Sequence, residues 1–112
     1  KRSRYVPERG DVVFLNFDPQ LGHEQKGHRP ALVLSPKAYN QKVGLALMCP
    51  ITSKRKGYPF EVPLPAELEL SGVVLSDQIK SLDWRERKAI FHQKVTSNVL
   101  AHTIARIQTL LQ

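Results

Sequence analysis

The chain has 112 residues, of which 41% are apolar, with 17 Lys and Arg against 10 Asp and Glu and a formal net charge of +7. This length supports one small hydrophobic core, so we expect a single domain over residues 1–112 and exclude a large multidomain enzyme. No stretch approaches the roughly 20 apolar residues of a membrane helix, the N-terminus lacks the apolar segment of a secretory signal, and the single Cys49 excludes an internal disulfide. These features favour a cytoplasmic protein.

The surplus of positive charge indicates a polyanionic partner. A small basic protein attracts nucleic acid through long-range electrostatic forces that weaken with salt. An acidic protein segment would satisfy the same field, and a merely soluble cationic surface is the simplest alternative. Charge alone does not decide among the three.

Short apolar runs bounded by turn-forming residues predict five or six β-strands. The predicted strands cover residues 12–17, 31–34, 45–49, 60–64, 72–80 and 89–95. Pro63 removes a backbone donor from the fourth strand, which suggests a sheet edge or a bulge. Strands of this length and spacing predict a mainly β fold, namely a small β-barrel or rolled sheet.

Helical periodicity is clear only near the end of the chain. Leu100, Ile104, Ile107 and Leu111 recur at intervals of four, three and four residues, and residues 96–98 offer an N-cap. The sequence therefore predicts a C-terminal amphipathic helix packed on the sheet. Residues 35–40 are compatible with one further helical turn.

Two long polar loops, residues 19–29 and 52–59, are the places where we expect function, because loops longer than a connection needs often carry it. The first contains two histidines, His23 and His28, which superficially resemble a zinc-protease pair. They are five residues apart rather than four, and Gly27 interrupts the segment. We therefore expect no metal site and no cofactor.

Arg29 and Thr52 stand where these loops meet predicted strands. The planar guanidinium of Arg29 matches phosphate oxygens in a bidentate manner and stays charged. Thr52 can present a hydroxyl at the same rim of the sheet. Taken singly, a surface arginine paired with a carboxylate and a turn-forming threonine explain the two residues equally well or better.

Other polar residues have both a functional and a structural interpretation. Glu24 could accept a proton from a sugar hydroxyl or be a solvated loop charge. The basic residues 54–56 with Tyr58 combine charges for phosphates with a ring for base stacking, although a solvated charge run would look the same. Asp77 and Gln78 place polar groups in an otherwise apolar predicted strand, where a buried turn contact is the alternative. Trp84 is a core lid or an anchor for a partner.

Several segments together resemble the MazF/PemK family of toxin endoribonucleases over essentially the whole chain, and most closely its MazF branch. The most specific is the run Gly27-His28-Arg29-Pro30-Ala31, followed by Ile51-Thr52 at a strand end. The other segments are residues 4–7, 10–13, 16–19, 22–25, 32–36, 56–60 and 77–81. The resemblance implies an SH3-like β-barrel with a C-terminal helix, a homodimer, an acidic MazE-like antitoxin and single-stranded RNA as substrate.

The resemblance also implies roles for individual residues. Arg29, Thr52 and Glu24 match catalytic positions. The positions that match the RNA-lining region are His28, Ser53, Lys54, Lys56, Tyr58, Asp77, Gln78 and Lys80. In the PemK-like branch an Asp at the position of Asp77 acts as base with an Arg two residues earlier, and here that earlier residue is Leu75. This difference moves the expected chemistry onto Arg29, Thr52 and Glu24.

The reaction implied is metal-independent cleavage by the ribose 2′-hydroxyl, which leaves a 2′,3′-cyclic phosphate and a 5′-hydroxyl and inhibits translation and growth. Two alternatives from other classes share the fold. One is a CcdB-like toxin that poisons gyrase, although this sequence ends Leu110-Leu111-Gln112 rather than Trp-Gly-Ile. The other is a noncatalytic SH3-like module that binds RNA or peptide.

Overall fold

The structure is a computed structural model that describes residues 5–17 and 28–112. Within these ranges the chain forms seven short strands and two α-helices. The strands are β1 (Asp11–Asn16), β2 (His28–Val33), β3 (Leu45–Thr52), β4 (Glu61–Pro63), β5 (Val73–Leu75), β6 (Lys80–Asp83) and β7 (Ile90–Lys94), and the helices are α1 (Lys37–Val43) and α2 (Ser97–Thr109).

The strands form one antiparallel sheet in the order β4-β5-β3-β2-β1-β7, and β6 pairs with the other half of the long strand β3. The mainly β fold with a C-terminal helix is thus confirmed. In the part of the chain described, the end strands β4 and β7 do not pair with each other, so the sheet is not closed into a barrel. Pro63 lies on β4 at one end of the sheet, as its missing donor predicts.

The central strands are apolar on both faces. Val12, Leu32 and Cys49 belong to one core cluster, whereas their neighbours Val13 and Met48 belong to a second cluster on the opposite face. Successive side chains of a strand point to opposite faces. Burial on both faces therefore explains why these strands read as continuous apolar runs instead of alternating with polar residues.

The helix α2 covers the first core as predicted. The Thr96 side chain caps it by accepting a hydrogen bond from the Val99 N–H, and Leu100, Ile104 and Ile107 pack against the core. Leu111 was expected on this face, but it follows the helix end and is 79% exposed. The helical turn expected in residues 35–40 extends to Val43 as α1.

The predicted strand over residues 72–80 is wrong, because a 3-10 turn at Ser76–Gln78 separates β5 from β6. The Ser76 backbone N–H and hydroxyl both donate to the Phe60 carbonyl, at 3.1 and 2.6 Å. These two bonds stop the strand and tie the turn to the start of β4. Asp77 and Gln78 are consequently exposed turn residues rather than polar groups within a strand.

Trp84 belongs to the core. Its side chain is 5% exposed in the second cluster, and its indole N–H donates to the Asn40 carbonyl at 3.0 Å. Of the two interpretations left open by the sequence, the structure therefore supports the core lid. Cys49 is also fully buried, and burial, reinforced by Asp77, raises the pKa of its thiol to about 12.

A buried carboxylate ties the N-terminal segment to β1 and β7. Asp11 accepts hydrogen bonds from the Tyr5 hydroxyl at 2.6 Å and the Glu8 N–H at 3.0 Å, and Lys94 lies 2.8 Å from its other oxygen. Burial and then the bond to Asp11 raise the pKa of Tyr5 well above its ordinary value of 10.0. The bond to Asp11 likewise raises the pKa of Lys94.

This cluster predicts a loss of stability in alkali. The folded protein holds the protons of Tyr5 and Lys94 more tightly than the unfolded chain, so their contribution is complete below pH ~10 and is lost as pH rises further. We expect the free energy of unfolding in urea to fall between about pH 10 and 11, and to fall less steeply in Tyr5→Phe. An unchanged slope in Tyr5→Phe would contradict the assignment, and Tyr39→Phe, at an exposed hydroxyl, is the matched control.

Among residues 5–17 and 28–112, no helix has the length and apolar character needed to cross a membrane.

Candidate active site

Arg29 and Thr52, 23 positions apart in the chain, line one cavity of about 450 Å³. Arg29 lies at the start of β2 and Thr52 at the end of β3. Because these strands are antiparallel neighbours, the start of β2 and the end of β3 lie side by side. We call this the Arg29 cavity, and its described lining is Phe14, His28, Arg29, Pro30, Ile51, Thr52, Ser53, Lys54, Leu70 and Ser71.

The charge of the Arg29 cavity suits an anion. Arg29 and Lys54 contribute two cations, and no Asp or Glu occurs among the described lining residues. The guanidinium of Arg29 is exposed, so a ligand can reach it without reorganising the core. An arginine fork beside a lysine and hydroxyl groups is a donor set that binds phosphate.

The hydroxyl of Thr52 is oriented by its own loop. Its oxygen accepts a hydrogen bond from the Lys54 backbone N–H at 3.2 Å, so the hydroxyl proton remains available to donate. The backbone of Thr52 is in turn packed against Gly72. A Cβ at Gly72, whose φ is +135°, would lie 2.3 Å from the Thr52 carbonyl oxygen. The absence of a side chain at Gly72 therefore determines how the backbone of Thr52 can be placed.

A second, smaller cavity of about 210 Å³ adjoins the first, because Thr52 and Lys54 line both. We call it the Tyr58 cavity, and its remaining lining residues are Lys56, Tyr58, Glu61, Leu75 and Gln78. The Tyr58 hydroxyl donates to the Asp77 carboxylate at 2.9 Å, and this bond raises the pKa of Tyr58. Tyr58 therefore stays protonated, and the basic loop and the 3-10 turn meet at this point.

Most of the predicted RNA-lining residues thus come together around two joined cavities. Asp77 and Lys80 line neither cavity. The Asp77 carboxylate accepts the hydrogen bond from Tyr58, and the Lys80 ammonium group lies over the ring of Phe17, 5.9 Å from the ring centre. The prediction for Glu24 falls on residues 18–27, outside the described part of the chain. Phe14, Leu70 and Ser71 line the Arg29 cavity although nothing in their local sequence marks them as site residues.

Glu61 is a further residue of the site that its local sequence does not mark as functional. Its carboxylate accepts hydrogen bonds from the backbone N–H groups of Lys56 at 2.8 Å and Gly57 at 3.0 Å. These bonds hold the basic loop in a fixed shape against the start of β4. The signal in the sequence is an acidic residue five positions after Lys56, at a distance that allows it to close the loop.

We expect Glu61→Ala to weaken RNA binding about tenfold, because the loop that carries Lys56 and Tyr58 loses both anchoring bonds. Removing a carboxylate from a site for polyanions would by charge alone strengthen binding, so a loss identifies the structural role. The measurement is the Kd for an RNA oligonucleotide made uncleavable by 2′-deoxy substitution. Glu67→Ala, an exposed carboxylate outside both cavities, makes the same charge change and should not weaken binding.

Within the described ranges, no three His, Cys, Asp or Glu side chains are grouped so that they could hold a metal ion.

Known proteins are similar to this chain over nearly its whole length. The family of PemK-like, MazF-like toxins of type II toxin–antitoxin systems matches residues 8–111. Endoribonuclease toxin MazF of Escherichia coli (strain K12) is 50% identical over 109 residues, which cover 97% of each chain. Solved structures from Deinococcus radiodurans are also similar. MazF (Form-I) has a TM-score of 0.87 at 57% identity and covers 96% of this chain and 97% of the other. A chain of the MazE–MazF complex (Form-II) has a TM-score of 0.86 at 51% identity and covers 96% of both. The chain belongs to the family of PemK-like, MazF-like toxins of type II toxin–antitoxin systems.

Proposed function

We propose that this chain, an endoribonuclease toxin of the MazF type, cleaves single-stranded RNA at a phosphate held by Arg29 and Thr52. The observation that carries the proposal is that these two residues, 23 positions apart in the chain, line one cationic cavity. The reaction is sequence-specific and metal-independent, and it stops translation and growth by destroying messenger RNA. Residues 1–112 act as one toxin domain.

The chemistry is an in-line attack by the ribose 2′-hydroxyl oxygen on the adjacent phosphorus. The new P–O bond closes a 2′,3′-cyclic phosphate while the bond to the 5′-oxygen breaks. Arg29 neutralises the charge that grows on the nonbridging oxygens, and the Thr52 hydroxyl donates a hydrogen bond to one of them. DNA lacks the attacking hydroxyl and is not cleaved.

Two protons must also move. The 2′-hydroxyl proton leaves as the attack proceeds, and we assign Glu24 to accept it or to orient that hydroxyl. The leaving 5′-oxygen must gain a proton, which Arg29 cannot easily supply because a guanidinium group holds its protons too tightly. His28 is half-buried in the same cavity as Arg29 and is the group we assign to this step.

The Tyr58 cavity binds the RNA beside the scissile phosphate. Lys54 and Lys56 contact the backbone, and Tyr58 and Gln78 face a neighbouring base. The full set of RNA-binding residues in this proposal is His28, Ser53, Lys54, Lys56, Tyr58, Asp77, Gln78 and Lys80. The cavity is small enough to discriminate among bases, and this is where sequence preference would arise.

The partners follow from the family and from the surface. An acidic MazE-like antitoxin binds the chain, as MazE binds MazF in the D. radiodurans complex, and the net charge of +7 suits such a partner. A homodimer is supported by exposed apolar side chains at Ile90, Phe91, Leu110 and Leu111. The protein acts in the cytoplasm, where messenger RNA is found.

Incubation with single-stranded RNA in EDTA tests the proposal. We expect cleavage to survive chelation and to leave 2′,3′-cyclic phosphate and 5′-hydroxyl ends, whereas the DNA strand of the same sequence stays intact. Mapping the ends over a large RNA pool then gives the cleavage site. Binding without cleavage would instead indicate a noncatalytic module, and blocked supercoiling would indicate a gyrase poison.

A further inference from the structure

Phe14 gives the Arg29 cavity an aromatic surface. It lies on β1 opposite Pro30 of β2, is half-buried and lines the cavity together with Ile51 and Leu70. Side chains two residues apart on a strand share a face. Phe14 therefore lies on the same face of β1 as the core residue Val12, nearer to the end of the strand. The cavity thus combines a cationic rim with an apolar, partly aromatic wall.

An irregularity in β7 brings a second ring against Phe14. Val12 pairs with Gln93 and the next residue, Val13, pairs with Phe91, so His92 is the extra residue of a β-bulge. A bulge turns a side chain away from the regular alternation of a strand. The His92 ring meets the Phe14 ring at 5.2 Å between centres and an angle of 88°.

This perpendicular contact supports Phe14 from outside the cavity. His92 is half-buried and does not line the Arg29 cavity, whereas Phe14 does. Edge-to-face packing is a favoured aromatic geometry that limits how a ring can tilt. The bulge therefore restrains the plane of a ring that lines the cavity proposed for the phosphate.

We propose that Phe14 stacks on a nucleobase next to the scissile phosphate and that His92 is a positioning residue for the Phe14 ring. This inference rests on the proposed function, because it takes Arg29 and Thr52 as the phosphate site. At about 450 Å³ the cavity is much larger than a phosphate group needs. Its cationic rim and flat apolar wall match the charged and the planar parts of one nucleotide. Stacking on an aromatic ring tolerates any base, so Phe14 contributes affinity rather than sequence preference.

The test pairs variants of Phe14 with RNA that lacks a base. Phe14→Leu keeps an apolar side chain without the ring, and Phe14→Trp keeps an aromatic ring. The probes are two uncleavable 2′-deoxy-substituted oligonucleotides, one complete and one without the base next to the mapped cleavage site. We expect the abasic change to weaken binding to the wild type about tenfold. Phe14→Leu should bind the complete RNA about tenfold more weakly than the wild type does, and removing the base should then reduce its affinity little further. Phe14→Trp should behave like the wild type with both oligonucleotides.

Equal loss on both oligonucleotides in Phe14→Leu would overturn the stacking, since the variant would then act without regard to the base. We call the dependence of the Phe14→Leu effect on the presence of the base the coupling between Phe14 and the base. If Arg29→Ala cleaves normally while this coupling is observed, the phosphate assignment is wrong and the stacking is retained. If Arg29→Ala loses cleavage but no coupling is observed, the stacking alone is overturned. Failure of the wild type to bind either RNA overturns both.

The role of His92 is read from a conservative pair. His92→Ala should raise KM several-fold without changing kcat and should reduce the coupling between Phe14 and the base. His92→Phe, which keeps a ring at the bulge, should restore both. His102→Ala, on the exposed surface of α2, is the matched control and should leave both unchanged. A change in kcat rather than KM, or no rescue by His92→Phe, would overturn the positioning role.

Discussion

Arg29→Ala should lower the single-turnover rate of RNA cleavage by about two to three orders of magnitude. In the variant, no fixed cation neutralises the charge that develops on the nonbridging phosphate oxygens. The guanidinium is exposed in the folded protein, so its removal leaves no buried group unpaired and stability should not change.

Thr52→Val, which keeps the shape and removes the hydroxyl, should lower the single-turnover rate of RNA cleavage by about ten- to a hundredfold.

Arg55→Ala is the matched control for Arg29→Ala. Arg55 is an exposed arginine of the basic loop that lines neither cavity, so its removal changes the net charge equally. We expect only a modest, salt-dependent weakening of RNA binding with an intact cleavage rate. If Arg55→Ala and Arg29→Ala lower the rate equally, the Arg29 cavity has no special role and general electrostatic attraction explains the result.

Gly72→Ala should lower the free energy of unfolding by about 2 to 5 kcal/mol, combining backbone strain with forced overpacking. The added methyl group would lie 2.3 Å from the Thr52 carbonyl oxygen, so the end of β3 or the residues that flank Gly72 must move. Because Thr52 stands at that end of β3, the fraction that folds should also cleave RNA more slowly. Urea denaturation and single-turnover cleavage on the same samples measure the two effects.

Gly44→Ala separates the clash from the effect of an unusual backbone angle. Gly44 also has a positive φ, +84°, but a Cβ there would meet no atom within 4 Å. We expect a loss of only about 1 to 2 kcal/mol and normal cleavage. Equal behaviour of Gly72→Ala and Gly44→Ala would show that Gly72 does not hold Thr52 in place.

Periodicity was sufficient to predict much of the fold. The apolar runs around Val13, Leu32 and Met48 predicted three central strands, because each run is buried on both faces of the sheet. The spacing from Leu100 to Ile107 predicted α2, and the cap at Thr96 marked its start. These features are local, so they can be read from neighbouring residues.

Features made by contacts between distant segments were not predictable in this way. The 3-10 turn at Ser76 depends on the Phe60 carbonyl, 16 residues earlier, and the sequence around Asp77 favours a continuous strand. The need for glycine at position 72 arises from its close approach to Thr52. The role of Phe14 in the site arises from the neighbouring segments that place it beside Arg29. For Arg29 and Thr52, the local sequence supported a surface role equally well, and the family resemblance marked them as a pair.

A crystal structure of the protein with an RNA oligonucleotide that is 2′-deoxy at the mapped cleavage site would show whether Arg29 and Thr52 hold the scissile phosphate. We predict that the Arg29 guanidinium and the Thr52 hydroxyl both donate hydrogen bonds to the same phosphate, the one that is cleaved in unmodified RNA. A scissile phosphate bound beyond hydrogen-bond distance of both residues, with the Arg29 cavity empty, would show that Arg29 and Thr52 are not the phosphate site.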